Sequence, residues 1–438
     1  MLTTILIILA GLLLLIAAFA LVRMMLFSRG SDAGNLEFSS SLPAFAVESK
    51  TVAEHLANVI QVETISHEDP AEDDTSKFKV LHNLLKNQYP LTHAALQREL
   101  VDGFSLLYTW KGTNPALDPV IFMAHQDVVP ADEHTLDQWT HAPFSGDIAD
   151  GFIWGRGALD IKNQMIGVFE AVEHLLYNGY KPERTVMLAF GHNEEVLGSG
   201  AKEIVAHLKA KGIHAQSVID EGGSVYDGII PGVEGLAAAI GNAEKGYLSL
   251  KLQAQASGGH ASTPPKATAI GILSRAIDRL QKHPFPMHPA AVQPMFKGLG
   301  AATSPIMQLA FSNLWLFSGL IKAKLAGNPE AVATIRTTTA PTIIKGGVKD
   351  NVLPSVAEAV INFRLLPGET IASVCERVRK IINDERVTFE PMPDKAWEAS
   401  PVSPVDCKAF QHIATVTTEL FPGTAIAPYT MLGGTDGR

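Results

Sequence analysis

Histidine and carboxylate side chains cluster in four short segments, three of which closely follow short apolar runs. The four segments are His125-Gln126-Asp127, Gly155-Arg156-Gly157-Ala158-Leu159-Asp160, Glu194-Glu195 and Asp220-Glu221. Because ligand sites of open α/β sheets form at the carboxyl ends of the strands, we expect these side chains to lie close together. Adjacent carboxylates repel, and a buried site holds them only with cations or with shifted pKa values. Imidazole and carboxylate together favour a divalent metal site, for zinc or less specifically for manganese or cobalt.

Each segment taken alone also has a simpler interpretation. His125 fits a loop histidine, Asp160 fits a cap of the following helix, and Glu194 with Glu195 fits a solvated loop. The joint pattern favours the metal site. Motifs of other catalytic sites are absent from the sequence, which contains no His-Glu-x-x-His and no Walker-type phosphate loop. The Gly-Ser-Gly at 198–200 is not a Gly-x-Ser-x-Gly elbow.

The composition excludes several classes of protein. The chain has 438 residues and a net charge of −10, so it has neither the basic surface of a nucleic-acid binder nor the length of a single small domain. With 46% hydrophobic and 18% charged residues, it is not a disordered chain. Two cysteines, Cys375 and Cys407, exclude a disulfide scaffold.

The elements that must position the polar segments alternate along the chain, which predicts an α/β fold with a mainly parallel sheet. The predicted helices are 51–62, 75–87 and 164–176, and the predicted strands are 120–124, 185–190 and 217–219. From about residue 243 the pattern changes to that of an inserted α+β domain. It comprises strands at 247–256 and 357–366 and helices at 267–282 and 371–383, with a Pro-rich stretch between, before a last helix at 406–420.

The N-terminus predicts a membrane anchor. Residues 1–22 carry no charged side chain, and as a helix they would span about 33 Å, enough to cross a bilayer core. A cleaved signal peptide with an Ala-Phe-Ala site at 18–20 is the alternative, but residues 1–4 contain no Lys or Arg. Arg23 and Arg29 flank the C-terminal side, and two charges leave the orientation of the catalytic domain open.

Five motifs in this order resemble those of the dinuclear zinc peptidases that include carboxypeptidase S, glutamate carboxypeptidase and aminoacylase. They are His125-Gln126-Asp127-Val128-Val129-Pro130, Gly155 to Asp160, Glu194-Glu195, Asp220-Glu221-Gly222-Gly223 and Gly258-Gly259-His260-Ala261-Ser262. The Asp-Glu-Gly-Gly form and the apolar N-terminus are most similar to the carboxypeptidase S branch. The resemblance implies an anchor (1–27), a linker (28–45), a catalytic domain (46–242 and 394–438) and an inserted lid and dimerisation domain (243–393).

The resemblance also implies two zinc ions per subunit. His125 and Glu221 would bind one zinc, Asp160 would bridge both, and Glu195 would bind the second. Asp220 is the alternative to Glu221, since the choice depends on how the family motif is aligned.

The implied reaction is hydrolysis of an amide bond next to a free carboxylate, in a dipeptide, a C-terminal residue or an N-acyl amino acid. Asp127 would orient His125, as a carboxylate does for many metal-bound imidazoles. Glu194 would be the general base for a water held between the zinc ions.

The inserted domain would contribute three further residues. By the resemblance, His260 reaches the active site of the partner subunit in a homodimer and stabilises the oxyanion, while Asn351 and Arg364 hold the substrate carboxylate. The alternative interpretations are that His260 is a turn histidine after two glycines and that Arg364 forms a buried structural ion pair.

The C-terminus departs from the family pattern. In relatives, a Gly-Gly-Thr-Asp-x-Arg stretch like that at 433–438 is followed directly by a His that completes the second zinc site, whereas this chain stops there. We therefore expect a C-terminal fragment whose second zinc site is incomplete and weakly occupied. The alternative function is a non-catalytic or impaired binding protein on the same scaffold.

Overall fold

The computed structural model describes residues 1–29, 47–230 and 232–438. The predicted linker at 28–45 therefore lies, except for its first two residues, outside the described residues. The α-helices of the described residues are α1 (Leu2–Arg29), α2 (Ser49–Ile60), α3 (Thr75–Gln88), α4 (Pro90–Ala95), α5 (Lys162–Tyr177), α6 (Gly200–Ala210), α7 (Ala269–Lys282), α8 (Gln293–Leu299), α9 (Pro305–Ser312), α10 (Leu314–Leu325), α11 (Pro329–Thr334), α12 (Ile371–Ile382) and α13 (Lys408–Leu420). The β-strands of the described residues are β1 (Gln97–Val101), β2 (Ser105–Trp110), β3 (Val120–His125), β4 (Ile148–Ala149), β5 (Phe152–Ile153), β6 (Val186–Gly191), β7 (Ser217–Ile219), β8 (Ser224–Asp227), β9 (Leu236–Glu244), β10 (Gly246–Gln255), β11 (Gly259–His260), β12 (Thr338–Gly346), β13 (Val352–Leu353), β14 (Val356–Leu365), β15 (Val387–Trp397) and β16 (Ala425–Met431).

The chain divides into two compact units, which we call unit A and unit B. Unit A comprises Leu42–Glu221 and Thr435–Gly437, and unit B comprises Met1–Ser41, Gly222–Gly434 and Arg438. The predicted bounds of the catalytic and lid domains remain a prediction.

Unit A contains a five-stranded mixed sheet in the order β1-β2-β6-β3-β7. Strand β3 lies between β6 and β7 and is parallel to both, whereas β1 and β2 form an antiparallel extension of the sheet. The β1–β2 hairpin turns at Asp102 and Gly103, which both have positive φ, as tight hairpin turns often require. The predicted α/β class is confirmed. A mainly parallel sheet was predicted, and the sheet is mixed, with two parallel and two antiparallel strand pairs.

Helices cover both faces of this sheet, which explains why its central strands are apolar without alternation. On one face, Leu188 and Phe190 of β6 pack in a core with α2, α3 and α5. On the other face, Met187 and Ala189 of the same strand pack against α6. The burial on both faces holds the strand ends in fixed positions.

Unit B contains a four-stranded antiparallel sheet in the order β12-β14-β10-β15. The alternating residues Leu248, Leu250, Leu252 and Ala254 of β10 are fully buried against α7 and α12. This is the half-buried strand that the period of two predicts. The α+β character predicted for the inserted segment is therefore present.

A second sheet of unit B has the order β16-β9-β8, with β16 parallel to β9 and β8 antiparallel to it. Its buried residues include Ala238 and Ile240 of β9, which pack with Phe410 and Ala414 of α13. The sheet thus joins two chain segments that are far apart in sequence.

Four short helices, α8 to α11, occupy part of the stretch that the sequence suggested only as Pro-rich. Prolines lie in the first turn of three of them, at Pro294, Pro305 and Pro329. Proline is tolerated there because the first backbone N–H groups of a helix have no partner inside the helix. These prolines therefore start helices instead of marking a loop.

Helix α1 is long and apolar enough to cross a membrane, by length and composition only. A membrane anchor and a signal sequence both satisfy that criterion. Ala20 is the buried residue among 2–27, the part of α1 whose burial the structure describes, and 4% of its surface is exposed.

Two neighbouring residues of α6 provide a test of the packing in unit A. Ile204 is 2% exposed and packs under the sheet, whereas Val205 beside it is 57% exposed. We expect Ile204→Ala to lower the free energy of unfolding by about 2–5 kcal/mol, because it leaves a cavity. Val205→Ala should change it by less than about 0.5 kcal/mol, since no cavity forms and alanine favours helix. Urea unfolding of both variants checks this, and equal effects would contradict the assigned face of α6.

Candidate metal centre and active site

The ends of three neighbouring strands form the frame of the site. Strand β3 ends at His125, β6 at Gly191 and β7 at Ile219, and all three strands run in the same direction. The amide of Gln126 donates a hydrogen bond of 2.8 Å to the carbonyl of Gly191, so the pairing continues past the strand ends. The polar segments that follow the strands are therefore delivered to one edge of the sheet.

His125, Asp160 and Glu221 form a group that could hold a metal ion. One ligand atom from each residue lies within 4.8 Å of those of the other two. The Nε2 atom of His125 is 3.1 Å from Asp160 Oδ1 and 3.7 Å from Glu221 Oε1. These are the residues that the resemblance assigns to the first zinc, with Asp160 as the bridge. The His125 side chain is 2% exposed and that of Asp160 is 66% exposed, so the group opens to solvent on one side.

The start of α5 holds Asp160 in place through a buried lysine. The Lys162 side chain donates hydrogen bonds of 3.0 Å and 2.7 Å to the carbonyls of Val59 and Val62 at the end of α2. Burial lowers the pKa of Lys162 to about 7. Because the side chain is fully buried and bonded to two carbonyls, it fixes the turn that presents Asp160.

The buried carboxylate of Asp127 joins the segments around the site. Its Oδ1 accepts a hydrogen bond of 3.1 Å from the amide of Glu194, and its Oδ2 accepts one of 3.1 Å from the amide of Glu195. The hydroxyl of Ser66 donates a further hydrogen bond of 2.6 Å to Oδ2. His125 Nδ1 lies 3.3 Å from Oδ1 and 3.0 Å from the backbone carbonyl of Asp127. Asp127 thus orients the imidazole and also fixes the turn that carries both glutamates.

The electrostatics of the site are those of crowded, buried anions. Burial alone would lower the pKa of His125, but its hydrogen bonds with Asp127 and Asp160 outweigh that effect and raise the pKa to about 12. Burial, together with neighbouring carboxylates, raises the pKa of Glu194 to about 8, although His125 acts in the opposite direction. The pKa of Glu221 is raised to about 8 for the same reasons.

These shifts fit a site that is completed by a cation. The carboxylates that hold a proton on His125 would equally hold a divalent metal, which binds the neutral imidazole. One nitrogen and several carboxylate oxygens are a donor set that suits zinc. The residues present therefore fit the metal that the resemblance implies.

The two adjacent acids after β7 face different neighbours. Glu221 belongs to the group with His125, whereas the carboxyl of Asp220 lies against Gly437, where an added Cβ would be 3.2 Å from Asp220 Oδ2. The geometry therefore favours Glu221 over Asp220 as the ligand.

Asp436 is a neighbour of the site to which the sequence analysis gave no role. Its carboxylate raises the pKa of Glu194, and its Oδ2 would lie only 2.5 Å from a Cβ added at Gly191. The Gly-Gly-Thr-Asp-x-Arg stretch was the sequence signal that could have identified Asp436.

Burial is the main cause that raises the pKa of Glu195. The nearby carboxylate of Asp160 raises it further.

Unit B holds the three other residues predicted for the site. His260 on β11 pairs with Val352 on β13, which brings it next to Asn351, and the Asn351 carbonyl accepts a hydrogen bond from the Ala261 amide. The His260 ring is exposed and lies 2.7 Å from the hydroxyl of Ser262. The structure therefore brings His260 and Asn351 together.

Arg364 on β14 stacks on an aromatic ring. Its guanidinium lies 4.4 Å from the centre of the Tyr247 ring, which is stacked on Trp397 at 4.5 Å. Its Nε donates a weak hydrogen bond of 3.4 Å to Asn362. Burial lowers the pKa of Arg364. Among the residues that the structure describes, no carboxylate forms an ion pair with Arg364, so the buried ion pair considered above is not found there.

An open groove of about 540 Å³ lies beside Asp160 in unit A. Its lining includes Trp139, Ile153, Trp154 and Leu159, the last of which directly precedes Asp160. The groove thus combines apolar and aromatic surface with polar side chains such as Thr135, Gln138 and His141.

Comparison with known proteins gives a consistent result. The profile of Peptidase family M20/M25/M40 matches residues 121–438. The chain is 38% identical to the N-fatty-acyl-amino acid synthase/hydrolase PM20D1 of Homo sapiens, an alignment that covers 97% of this chain and 86% of that protein. It is 37% identical to the probable carboxypeptidase S-like 2 of Dictyostelium discoideum, over 88% of this chain and 75% of that protein.

The fold is similar to that of a solved M20 family metallo-carboxypeptidase, Sso-CP2 from Sulfolobus solfataricus. The TM-score is 0.61 at 17% identity, and the superposition covers 88% of this chain and 87% of that chain. At this identity the likeness concerns the fold alone.

We expect Asp127→Asn to weaken metal binding by about 10- to 100-fold, because the imidazole and the glutamate turn lose the charge that orients them. Ser66→Ala removes only one of the contacts to the same carboxylate and should have a smaller effect. Competition with a chelator, followed by metal analysis of folded protein, measures both. Unchanged metal affinity in Asp127→Asn would rule out the orienting role.

Proposed function

Because this chain belongs to peptidase family M20/M25/M40, we propose that it hydrolyses an amide bond next to a free carboxylate. The family and the named relatives make it a metal-dependent hydrolase of the peptidase and amidohydrolase type. The substrate class, the zinc ions and the role of each residue are our proposal.

The observation that best supports this proposal is the position of Glu194. It is buried, it lies outside the group of His125, Asp160 and Glu221, and its amide is bonded to the carboxylate that also contacts His125. A general base must lie near the reacting water without being a metal ligand. The position of Glu194 outside the metal group, and its link to His125 through Asp127, support this role.

Two zinc ions, held by His125, Asp160 and Glu221 and by Asp160 with Glu195, would lower the pKa of a water and polarise the scissile carbonyl. Glu194 would accept the proton of that water at its carboxylate and donate it to the nitrogen of the leaving amine. Asp127 would keep the imidazole and the Glu194–Glu195 turn aligned throughout.

Arg364 would hold the free carboxylate of the substrate, and Asn351, which lies with His260 at the opposite end of β10 and β14, would contribute to a carboxylate site of the partner subunit. The guanidinium is half-buried and stacked, and among the described residues it has no carboxylate partner, so it is prepared to receive one. Guanidinium binds carboxylate in a bidentate manner. His260 would stabilise the oxyanion in the partner subunit of a homodimer, and its exposure is compatible with that role.

The groove beside Asp160 favours an N-acyl amino acid as substrate. Trp139, Trp154 and Leu159 offer aromatic and aliphatic surface in this groove, and we propose that it receives the acyl chain because Leu159 directly precedes the metal-group residue Asp160. The relative PM20D1 is named for action on N-fatty-acyl amino acids. A retained membrane anchor would suit such apolar substrates, and the burial of Ala20 in unit B supports retention of α1.

A hydrolysis panel tests this function. We expect turnover of N-acyl amino acids with a free carboxylate, rising with acyl length, and weaker turnover of Gly-X dipeptides. Glu194→Gln should lower kcat by about 10²- to 10⁴-fold and retain its metal, because only proton transfer is lost. The neighbouring Glu195→Gln should instead lose metal.

Activity on neither substrate class in the metal-loaded wild type would overturn the proposal. Loss of metal in Glu194→Gln would overturn the assignment of the base while leaving the substrate class standing.

We expect Arg364→Ala to lower kcat/KM by about 10- to 100-fold through KM, because a charge-assisted contact to the substrate is lost. The loss should be confined to substrates with a free carboxylate and should be absent for the matching methyl esters. Arg364→Lys should restore part of the effect, since lysine keeps the charge without the bidentate geometry. The exposed Arg386, which pairs with Asp384, serves as the control through Arg386→Ala. An equal loss for acids and esters would contradict a carboxylate-binding role.

A further inference from the structure

The C-terminal part of α1 packs against helices α9 and α10 of unit B. The Asn313 side chain donates a hydrogen bond of 3.0 Å to the carbonyl of Ala20, and Arg23 Nε donates one of 3.0 Å to the carbonyl of Ser312. The rings of Phe19 and Trp315 lie 6.1 Å apart. Asn313 is fully buried, and its amide also donates to the Leu309 carbonyl and the Ser312 hydroxyl, so it links α1 to the junction of α9 and α10. Residues 19–23 of α1 are therefore fixed to the junction of α9 and α10.

Helices α9 and α10 expose an unusual amount of apolar surface beside this contact. Ile306 is 81% exposed, Trp315 54%, Leu316 47% and Leu320 67%. Of the residues of α10, Ile321 is the one that is buried. Large exposed apolar patches on an otherwise soluble unit indicate an interaction site. We call Ile306, Trp315, Leu316 and Leu320 the apolar patch.

The position of the patch along α1 indicates what covers it. Residues 2–18 of α1 form a helix of about 26 Å before the contact with unit B begins, close to the thickness of a bilayer core of about 30 Å. If α1 crosses a membrane, Phe19 and Trp315 lie at the interface, where tryptophan is enriched, and Arg23 lies one turn further out.

The charges near the patch fit the same surface. Residues 293–334 carry Lys297, Lys322 and Lys324 against a single acid, Glu330, in a chain with a net charge of −10. The local excess of basic residues in an acidic protein is complementary to anionic lipid headgroups.

We propose that α9 and α10 lie in the membrane interface next to α1, with the apolar patch among the lipids and Lys322 and Lys324 against anionic headgroups. The occupant of the patch is the bilayer that α1 crosses. Unit B is then attached to the membrane along a surface and not only through one helix, which fixes its orientation. The inference rests on retention of α1 and not on the catalytic proposal.

Quenching of tryptophan fluorescence by lipids brominated near the headgroup end of the acyl chains tests this. The full chain is reconstituted in vesicles of brominated phosphatidylcholine, and intact mass measurement establishes that residues 1–29 are present. We expect clear quenching in the wild type and loss of most of it in Trp315→Phe. Trp110→Phe, which removes a core tryptophan that is 7% exposed, should keep the wild-type quenching.

Equal quenching in the wild type and in Trp315→Phe would overturn the proposal, as would cleavage of α1 from the mature protein. Protection of Trp315 from lipid together with cross-linking of two copies through α10 would also overturn it and would assign the patch to a dimer contact.

Inclusion of phosphatidylserine in the vesicles should increase the quenching, and the double variant Lys322→Gln with Lys324→Gln should abolish that increase. The matched pair Lys202→Gln with Lys209→Gln on α6 should not.

Discussion

The buried carboxylate of Asp127 is the constraint on which the site depends. A fully buried charge is costly unless hydrogen-bond donors surround it. Here the donors are the Ser66 hydroxyl, the amides of Glu194 and Glu195, and the nearby His125 ring. Burial alone would raise the pKa of Asp127, but these partners lower it, so the group stays ionised. The loops after β3 and β6 cannot separate without removing two of the donors from that charge, and this fixes His125 relative to Glu194.

The surrounding carboxylates give the site its second property, which is an excess of negative charge in a largely buried place. Glu194 and Glu221 both have raised pKa values, and Asp436 adds a further charge near Glu194. Such a cluster is stable only if protons or cations neutralise it. A divalent metal would supply that neutralisation and would leave Glu194, the proposed base, able to exchange a proton. The crowding of carboxylates therefore favours a site that binds a cation.

The sequence predicted the main helices and strands because their buried faces produce strong periodic patterns, as in β10, where every second residue is buried. It also predicted that His125 and Glu221 would meet, since both follow parallel strands. It did not predict the bonds from Asp127 to two backbone amides, because backbone contacts leave no pattern in side-chain types. Helices α8, α9 and α11 were missed because prolines in their first turns resemble those of a loop.

The N-terminal helix shows how packing changes the meaning of an apolar segment. By composition alone, α1 is a helix that can cross a membrane. That description fits a helix connected to the protein only through the chain as well as a helix packed on unit B. The Asn313 amide donates to the Ala20 carbonyl as well as to Leu309 and Ser312, so α1 makes a buried polar contact with unit B. Ala20 is small, and a small residue lets the helices approach closely enough for that bond. Residues 19–23 of α1 are therefore packed on unit B, and if α1 is retained in a membrane, as we propose, that membrane also meets the apolar surface of α10.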